Sequence, residues 1–206
     1  WLSRMVNENN CGDWDVRLTA DIDMDMYTDM FTPLGSSGAR YSGHFDGQGH
    51  KISNLHLNGA SYTGFIGQPG NGAVIENLLL DETCSINGAG ECVALVGGTN
   101  QMSGTVTLRN LGNMGNVYAT GKQAAGIFGG NSGSKTTLVI ENCFSTGIIE
   151  GSNECAAIAG WAGSNSPHVS NSWSCAEVSG NDRADMWLVR HGSGVFSNLY
   201  ATQGEQ

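Results

Sequence analysis

The sequence predicts an all-β fold: a right-handed parallel β-helix of about five coils, with a short helical cap at its N-terminus. Three observations carry this expectation. A motif of one small residue, two apolar residues and a glycine recurs at Gly64–Gly67, Ala94–Gly97, Gly126–Gly129 and Ala157–Gly160, the closing glycines 30, 32 and 31 residues apart. A motif of one apolar residue, any residue and asparagine recurs at Asn54, Asn77, Asn110, Asn142, Asn171 and Asn198. Short β-rich stretches end in Gly121, Gly151 and Gly180. Three interleaved motifs with one period, near 31 residues, mark stacked repeats, each too short to bury an apolar face alone.

The elements follow in chain order. Trp1, Leu2, Met5 and Val6 lie on one face of a short helix that Cys11-Gly12 would end. Such a helix would cover the first coil, whose open strand edges would otherwise template aggregation. Residues 1–40 therefore read as a cap of helix plus strand, and 41–206 as the repeat array. Each repeat holds about three strands of 4–6 residues separated by Gly, Asn and Ser, with no helical period after the cap. Equivalent strands in successive repeats would pair in parallel about 4.8 Å apart, and parallel crossovers are right-handed. From Asp182 onward the pattern loosens and no second cap is evident.

Stacking would turn the six asparagines into a ladder of amides bonded at a bend. Two positions further on, His56, Leu79, Gly112, Phe144, Trp173 and Tyr200 would form a second column ending in an aromatic stack. Coil stacking alone accounts for both columns. The functional alternative for exposed aromatics is a sugar-stacking surface, with Trp161, Trp173, Trp187 and Tyr200 as candidates.

Composition narrows the partners. Lys and Arg number 9 against 19 Asp and Glu, a net charge of −10. That balance disfavours nucleic acid and anionic membrane surfaces, which require clustered cations. No apolar run approaches a membrane span. The chain opens on Trp1 with no methionine or signal peptide, as a mature or excised piece of a longer protein would. Six cysteines read either as buried thiols or as disulfides in an oxidising, extracellular compartment. Cys84–Cys92 is the candidate bridge.

The opening segments Val16–Met24, Pro33-Leu-Gly35 and Tyr41–Leu57, with its Phe45-Asp-Gly-Gln-Gly-His50 core, resemble the start of the GLUG-repeat region of bacterial surface proteins. Gly64-Phe-Ile-Gly67 and Gly126-Ile-Phe-Gly129 are similar to the motif that names those repeats. The resemblance implies a β-helix within a large secreted or surface-anchored protein, adhesin-like or a non-catalytic region of an IgA1-protease-like protein. It supplies no ligand.

Parallel β-helices also host polysaccharide hydrolases and lyases, which need carboxylates clustered across neighbouring coils. Glu76 and Glu141 occupy equivalent positions but are separated by Arg109, which reads as a solvated face of alternating charge. No H-E-x-x-H motif is present. Asp21, Asp23 and Asp25 alternate on one face as weak calcium candidates, but an EF-hand-like spacing is missing and turn and cap hydrogen bonding is the preferred reading. His44, His50 and His56 are evenly spaced and could converge on a metal, but also read as one turn residue and two surface residues. The expectation is a structural or adhesive extracellular module with no catalytic residues, cofactor or metal, whose partners are surface glycans or host proteins. A subunit that stacks head to tail into a fibre is the alternative, and a polysaccharide-active enzyme the second.

Overall fold

A computed structural model describes residues 1–100, 103–130, 136–162, 167–180, 188–190 and 194–202. Helix α1 (Leu2–Glu8) opens the chain. A first turn follows, with β1 (Val16–Arg17), β2 (Ile22–Asp23) and a 3₁₀ turn at Thr28–Met30. The second carries β3 (His44–Asp46), β4 (Lys51–Ser53) and β5 (His56–Gly59). The third carries β6 (Val74–Leu80), β7 (Ser85–Gly88) and β8 (Val96–Gly98), and the fourth β9 (Thr105–Asn113), β10 (Asn116–Ala119) and β11 (Phe128–Gly130). In the fifth, β12 (Thr137–Glu141) and β13 (Phe144–Ser145) precede β14 (Ile148–Glu150) and β15 (Ala159–Trp161). A sixth holds β16 (His168–Ser174) and β17 (Glu177–Ser179), and β18 (Val195–Ala201) lies on β16.

Among the described residues every strand pairing is parallel, and the strands sort into three sheets that run along the stack. The chain is thus a parallel β-helix of about six turns. The first of them, completed by β1 on β3, β2 on β4 and Leu34 on Ile66, lacks the repeat motifs of the later turns.

The strands alternate in and out, and the inward residues stack into columns: Leu57, Ile86, Val117, Ile149 and Val178 on one side, Phe45, Ile75, Leu108, Ile140 and Val169 on another. All ten are buried. A β-branched or leucine side chain on every second residue fills a prism of this width without polar atoms.

The glycine motif has a packing cause. A Cβ at Gly97 would stand 2.8 Å from the Gly67 oxygen, one at Gly129 2.3 Å from the Gly97 oxygen, and one at Gly160 2.6 Å from the Gly129 oxygen. At that corner each turn rests its backbone directly on the one before it, so only glycine fits. The uneven spacing has a cause as well. Val93 pairs with Ala124 and Val96 with Phe128, so the fourth turn accommodates one extra residue between these points.

Candidate functional site

The most elaborate surface lies where β3, β6, β9, β12, β16 and β18 run side by side. Beyond their buried column comes an outward one, Asp46, Glu76, Arg109, Glu141, Ser170 and Ser197. Next is the asparagine corner. Asn77, Asn110, Asn142, Asn171 and Asn198 all adopt a left-handed backbone, φ between 50° and 55°, which asparagine tolerates better than other residues with a Cβ. Asn77 Nδ2 donates to Asp46 Oδ1 (2.9 Å), Asn110 to Asn77 (2.8 Å), Asn142 to Asn110 (3.1 Å), and Asn198 to Asn171 (2.8 Å).

Asn54 does not belong to this ladder, contrary to the sequence expectation. Phe45 pairs with Ile75 but Ile52 pairs with Leu80, so the turn Gly47–His50 inserts two residues and shifts the register. Asn54 makes the same left-handed bend at an offset position and donates to Asp23 Oδ1 at 2.9 Å. The ladder is headed instead by the Asp46 carboxylate.

The same insertion corrects the second column, which reads Lys51, Leu79, Gly112, Phe144, Trp173 and Tyr200. His56 pairs with Ser85 on another side of the prism. The Phe144 ring leans over Gly112, where a Cβ would meet it at 2.5 Å, and stacks on Trp173 at 5.0 Å and 6°. Trp173 (43% exposed) is the outer ring of this stacked pair, and Tyr200 (68%) is its exposed register neighbour on β18. Trp161 sits elsewhere, its ring 5.0 Å from the Arg190 guanidinium, a cation–π contact that occupies it. Trp187 lies outside the described residues. A groove of about 480 Å³ leads up to this stack, lined by Asp46, Gln48, Asn77, Asn110, Gly112 and Phe144.

Glu76 is buried rather than part of a solvated face. The register places it between His44, whose Nε2 lies 2.6 Å from Oε1, and Arg109, which donates to Oε2. The Arg109 hydrogen bond, helped by His44, holds the Glu76 carboxyl below the usual carboxylate range against the opposing effect of burial. Asp46 is held low as well, chiefly by Asn77 and the Gln48 backbone N–H.

Asp21 Oδ1 accepts from the Lys51 backbone and faces His50 Nδ1; Asp23 Oδ1 accepts from Asn54 and from the Asp25 backbone. These two aspartates thus make turn and inter-coil hydrogen bonds. The three histidines do not converge: His44 meets Glu76, His50 meets Asp21, and His56 Nδ1 lies 2.9 Å from Ser85 Oγ.

The expected Cys84–Cys92 bridge is absent, and all six cysteines are free thiols. The extended strand β7 and the bend that follows it lie between the two cysteines. Cys84 donates to the Ile52 carbonyl (3.2 Å), and Cys92 to Gln123 Oε1 (2.9 Å).

Cys92 belongs to a corner that no sequence motif marks. Tyr62, Cys92, Gln123 and Glu154 share a left-handed backbone, φ 56° to 69°. Gln123 Nε2 donates to Glu154 Oε2 at 2.7 Å, and Lys122 and Arg190 each approach Glu154 to 3.7 Å. Four unlike side chains leave no motif, and the position precedes the closing glycine by five residues in two turns and six in two others. Only the conformation repeats.

No protein-family model matches the chain. It is 33% identical over 137 residues to halomucin of Haloquadratum walsbyi, covering 61% of this chain and 1% of that protein. Against a provisionally named Gly-rich membrane protein of Evansella cellulosilytica the identity is 30% over 91 residues, 41% of this chain and 10% of the other. The chain thus spans a small part of the curated relatives it matches. A crystal structure of a provisionally named immunoglobulin A1 protease from Bacteroides ovatus superposes with a TM-score of 0.64 at 21% identity, covering 92% of this chain and 68% of that one. That likeness shows the same fold.

Proposed function

We propose that this chain is a non-catalytic, adhesive module of an extracellular bacterial surface protein, and that it holds glycans on the exposed aromatic column of Trp173 and Tyr200. The observation that carries the reading is the juxtaposition of Trp173 and Tyr200, open to solvent, with the asparagine ladder of the neighbouring corner. Apolar ring surface beside amides that keep spare donors and acceptors is the chemistry that sugars fit. The non-catalytic part draws support from Asp46 and Glu76. They are adjacent carboxylates, but both are held below the ordinary range, so neither supplies the protonated acid that glycosidic cleavage needs. Placement at the cell surface draws on the resemblance to GLUG-repeat proteins and on the names of the relatives. The cysteines lend it nothing, since none is bridged.

The test is a panel of host and bacterial polysaccharides assayed for retention on the protein and for release of new reducing ends. Retention without release is expected. Replacing both Trp173 and Tyr200 by alanine should weaken retention at least tenfold, about 1.4 kcal/mol, with the far-UV spectrum unchanged. Release of sugar ends would overturn the non-catalytic reading, and undiminished retention by the double variant would move the site elsewhere.

A further inference from the structure

We propose that His44, Asp46 and Glu76 form a site for one first-row divalent cation of the zinc type, straddling the second and third turns. It is independent of the adhesive reading. His44 and Asp46 are two residues apart on β3, so both point outward on the same side. Parallel pairing then sets Glu76 of β6 directly beside Asp46. One ligand atom from each of the three lies within 4.8 Å of the others. A cation held tetrahedrally at about 2.1 Å needs them about 3.4 Å apart, so the 2.6 Å contact between His44 Nε2 and Glu76 Oε1 must open slightly while all three atoms stay within the present 4.8 Å.

The chemistry of the set selects the ion. One imidazole and two carboxylates suit zinc or manganese, whereas calcium takes six or more oxygens. His44 is 35% exposed, which leaves a solvent-facing position for a water ligand. The supporting shell is already assembled. Gln48 N and Asn77 Nδ2 donate to Asp46 Oδ1, each at 2.9 Å, Arg109 fixes Glu76 Oε2, and the Asp15 carboxylate accepts the His44 backbone N–H at 3.0 Å. Such outer partners orient metal ligands. The Arg109 charge is shared with Glu141 of the following turn, which also faces it, so it does not by itself cancel the two ligand carboxylates. Binding exchanges the hydrogen bond between His44 Nε2 and Glu76 Oε1 for two metal bonds. If that hydrogen bond is made by an Nε2 proton, the imidazole either shifts its proton to Nδ1 or, if cationic, releases one to solvent. Asp21 and His50 are a separate and more exposed pair.

The experiment titrates chelator-treated full-length chain with zinc chloride by calorimetry and with cobalt(II) by visible absorption. One equivalent should bind, with the intense bands of four-coordinate cobalt. H44Q should weaken zinc binding at least tenfold and abolish those bands, while H50Q leaves both unchanged. No saturable uptake by the unaltered chain, equal affinity in H44Q, or loss in H50Q alone would each overturn the proposal. If H44Q fails to fold, the cobalt spectrum of the unaltered chain decides: a six-coordinate, aqua-type spectrum refutes the site.

Discussion

Asp81 sits at the end of β6 with its carboxylate buried between the second and third turns, and its environment makes one residue a sensor of acid. Burial pushes the carboxyl up, but the Ser53 and Thr83 hydroxyls, the Lys51 ammonium and the Thr83 backbone N–H outweigh it, bringing the group down to about 2. Its ordinary value is 3.8. A carboxyl held lower in the folded state stabilises the fold fully above the unfolded value, and that stability drains as pH falls through the folded one. Urea midpoints should therefore hold steady above about pH 4.5 and fall between there and pH 2. Asp81→Asn should lower the plateau and flatten part of the fall, leaving the share carried by Asp46 and Glu76, which are also held low. An unchanged slope in Asp81→Asn would remove Asp81 from this account. The thiols test the core at the same scale. Burial raises Cys84 and Cys155, and takes Cys143 up to about 12, whereas Cys175 is exposed. The thiolate is the reactive form, so in native protein only Cys175 should react quickly with a disulfide reagent. Unfolding without reductant should release the remaining five, and a shortfall would mean that a bridge exists.

At the scale of elements, the stacked glycines govern how closely the turns approach. Gly129→Ala would drive a Cβ to 2.3 Å from the Gly97 oxygen and 2.6 Å from the Cys92 carbonyl carbon. Backbone cannot yield as a side chain can, so a loss of about 4 kcal/mol or failure to fold is expected. Gly38→Ala meets nothing within 4 Å and should be neutral or stabilise by about 0.5 kcal/mol through the unfolded chain. Comparable denaturation midpoints for the two variants would discard the glycine column as a structural determinant. This column was legible in the sequence because its cause is local and the same in every turn: a missing side chain admits a neighbouring backbone. The asparagine ladder was legible from Asn77 onward for a related reason, since five turns solve the same bend with the same residue. At Asn54 the local motif was real and the register was not, because identical bends recur at two corners and only the pairing of Ile52 with Leu80 distinguishes them. The same register shift hides Asp46 from the motif, although it heads the ladder and lies beside Glu76. The corner of Tyr62, Cys92, Gln123 and Glu154 repeats a dihedral angle, which no residue type records.

For the molecule as a whole, the two ends of the stack differ, and the difference governs self-association. A solenoid whose turns are alike can add a second copy at either end, and a head-to-tail contact of this kind does not close. Here α1 occupies the N-terminal end. Val6 is fully buried in the common core with Leu34 and Tyr41, and Asn7 donates to the Pro33 carbonyl at 2.9 Å while accepting the Gly35 N–H at 2.9 Å. Those are backbone groups of the first turn that a preceding turn would otherwise pair. At the opposite end Phe196 extends the column of Phe45, Ile75, Leu108, Ile140 and Val169, yet is 41% exposed where they are buried. A covered first turn beside an open β18 edge should favour a finite complex over a fibre. The chain should therefore stay discrete at high concentration by analytical ultracentrifugation. Deleting residues 1–9 removes Val6 and Asn7 together, opens the first turn to the β18 edge of another copy, and should yield concentration-dependent filaments under negative stain. Filaments from the intact chain would show that α1 is displaced on assembly and would favour the fibre subunit. A truncated chain that folds and remains monomeric would mean that the exposed C-terminal edge carries its own protection, independent of the cap.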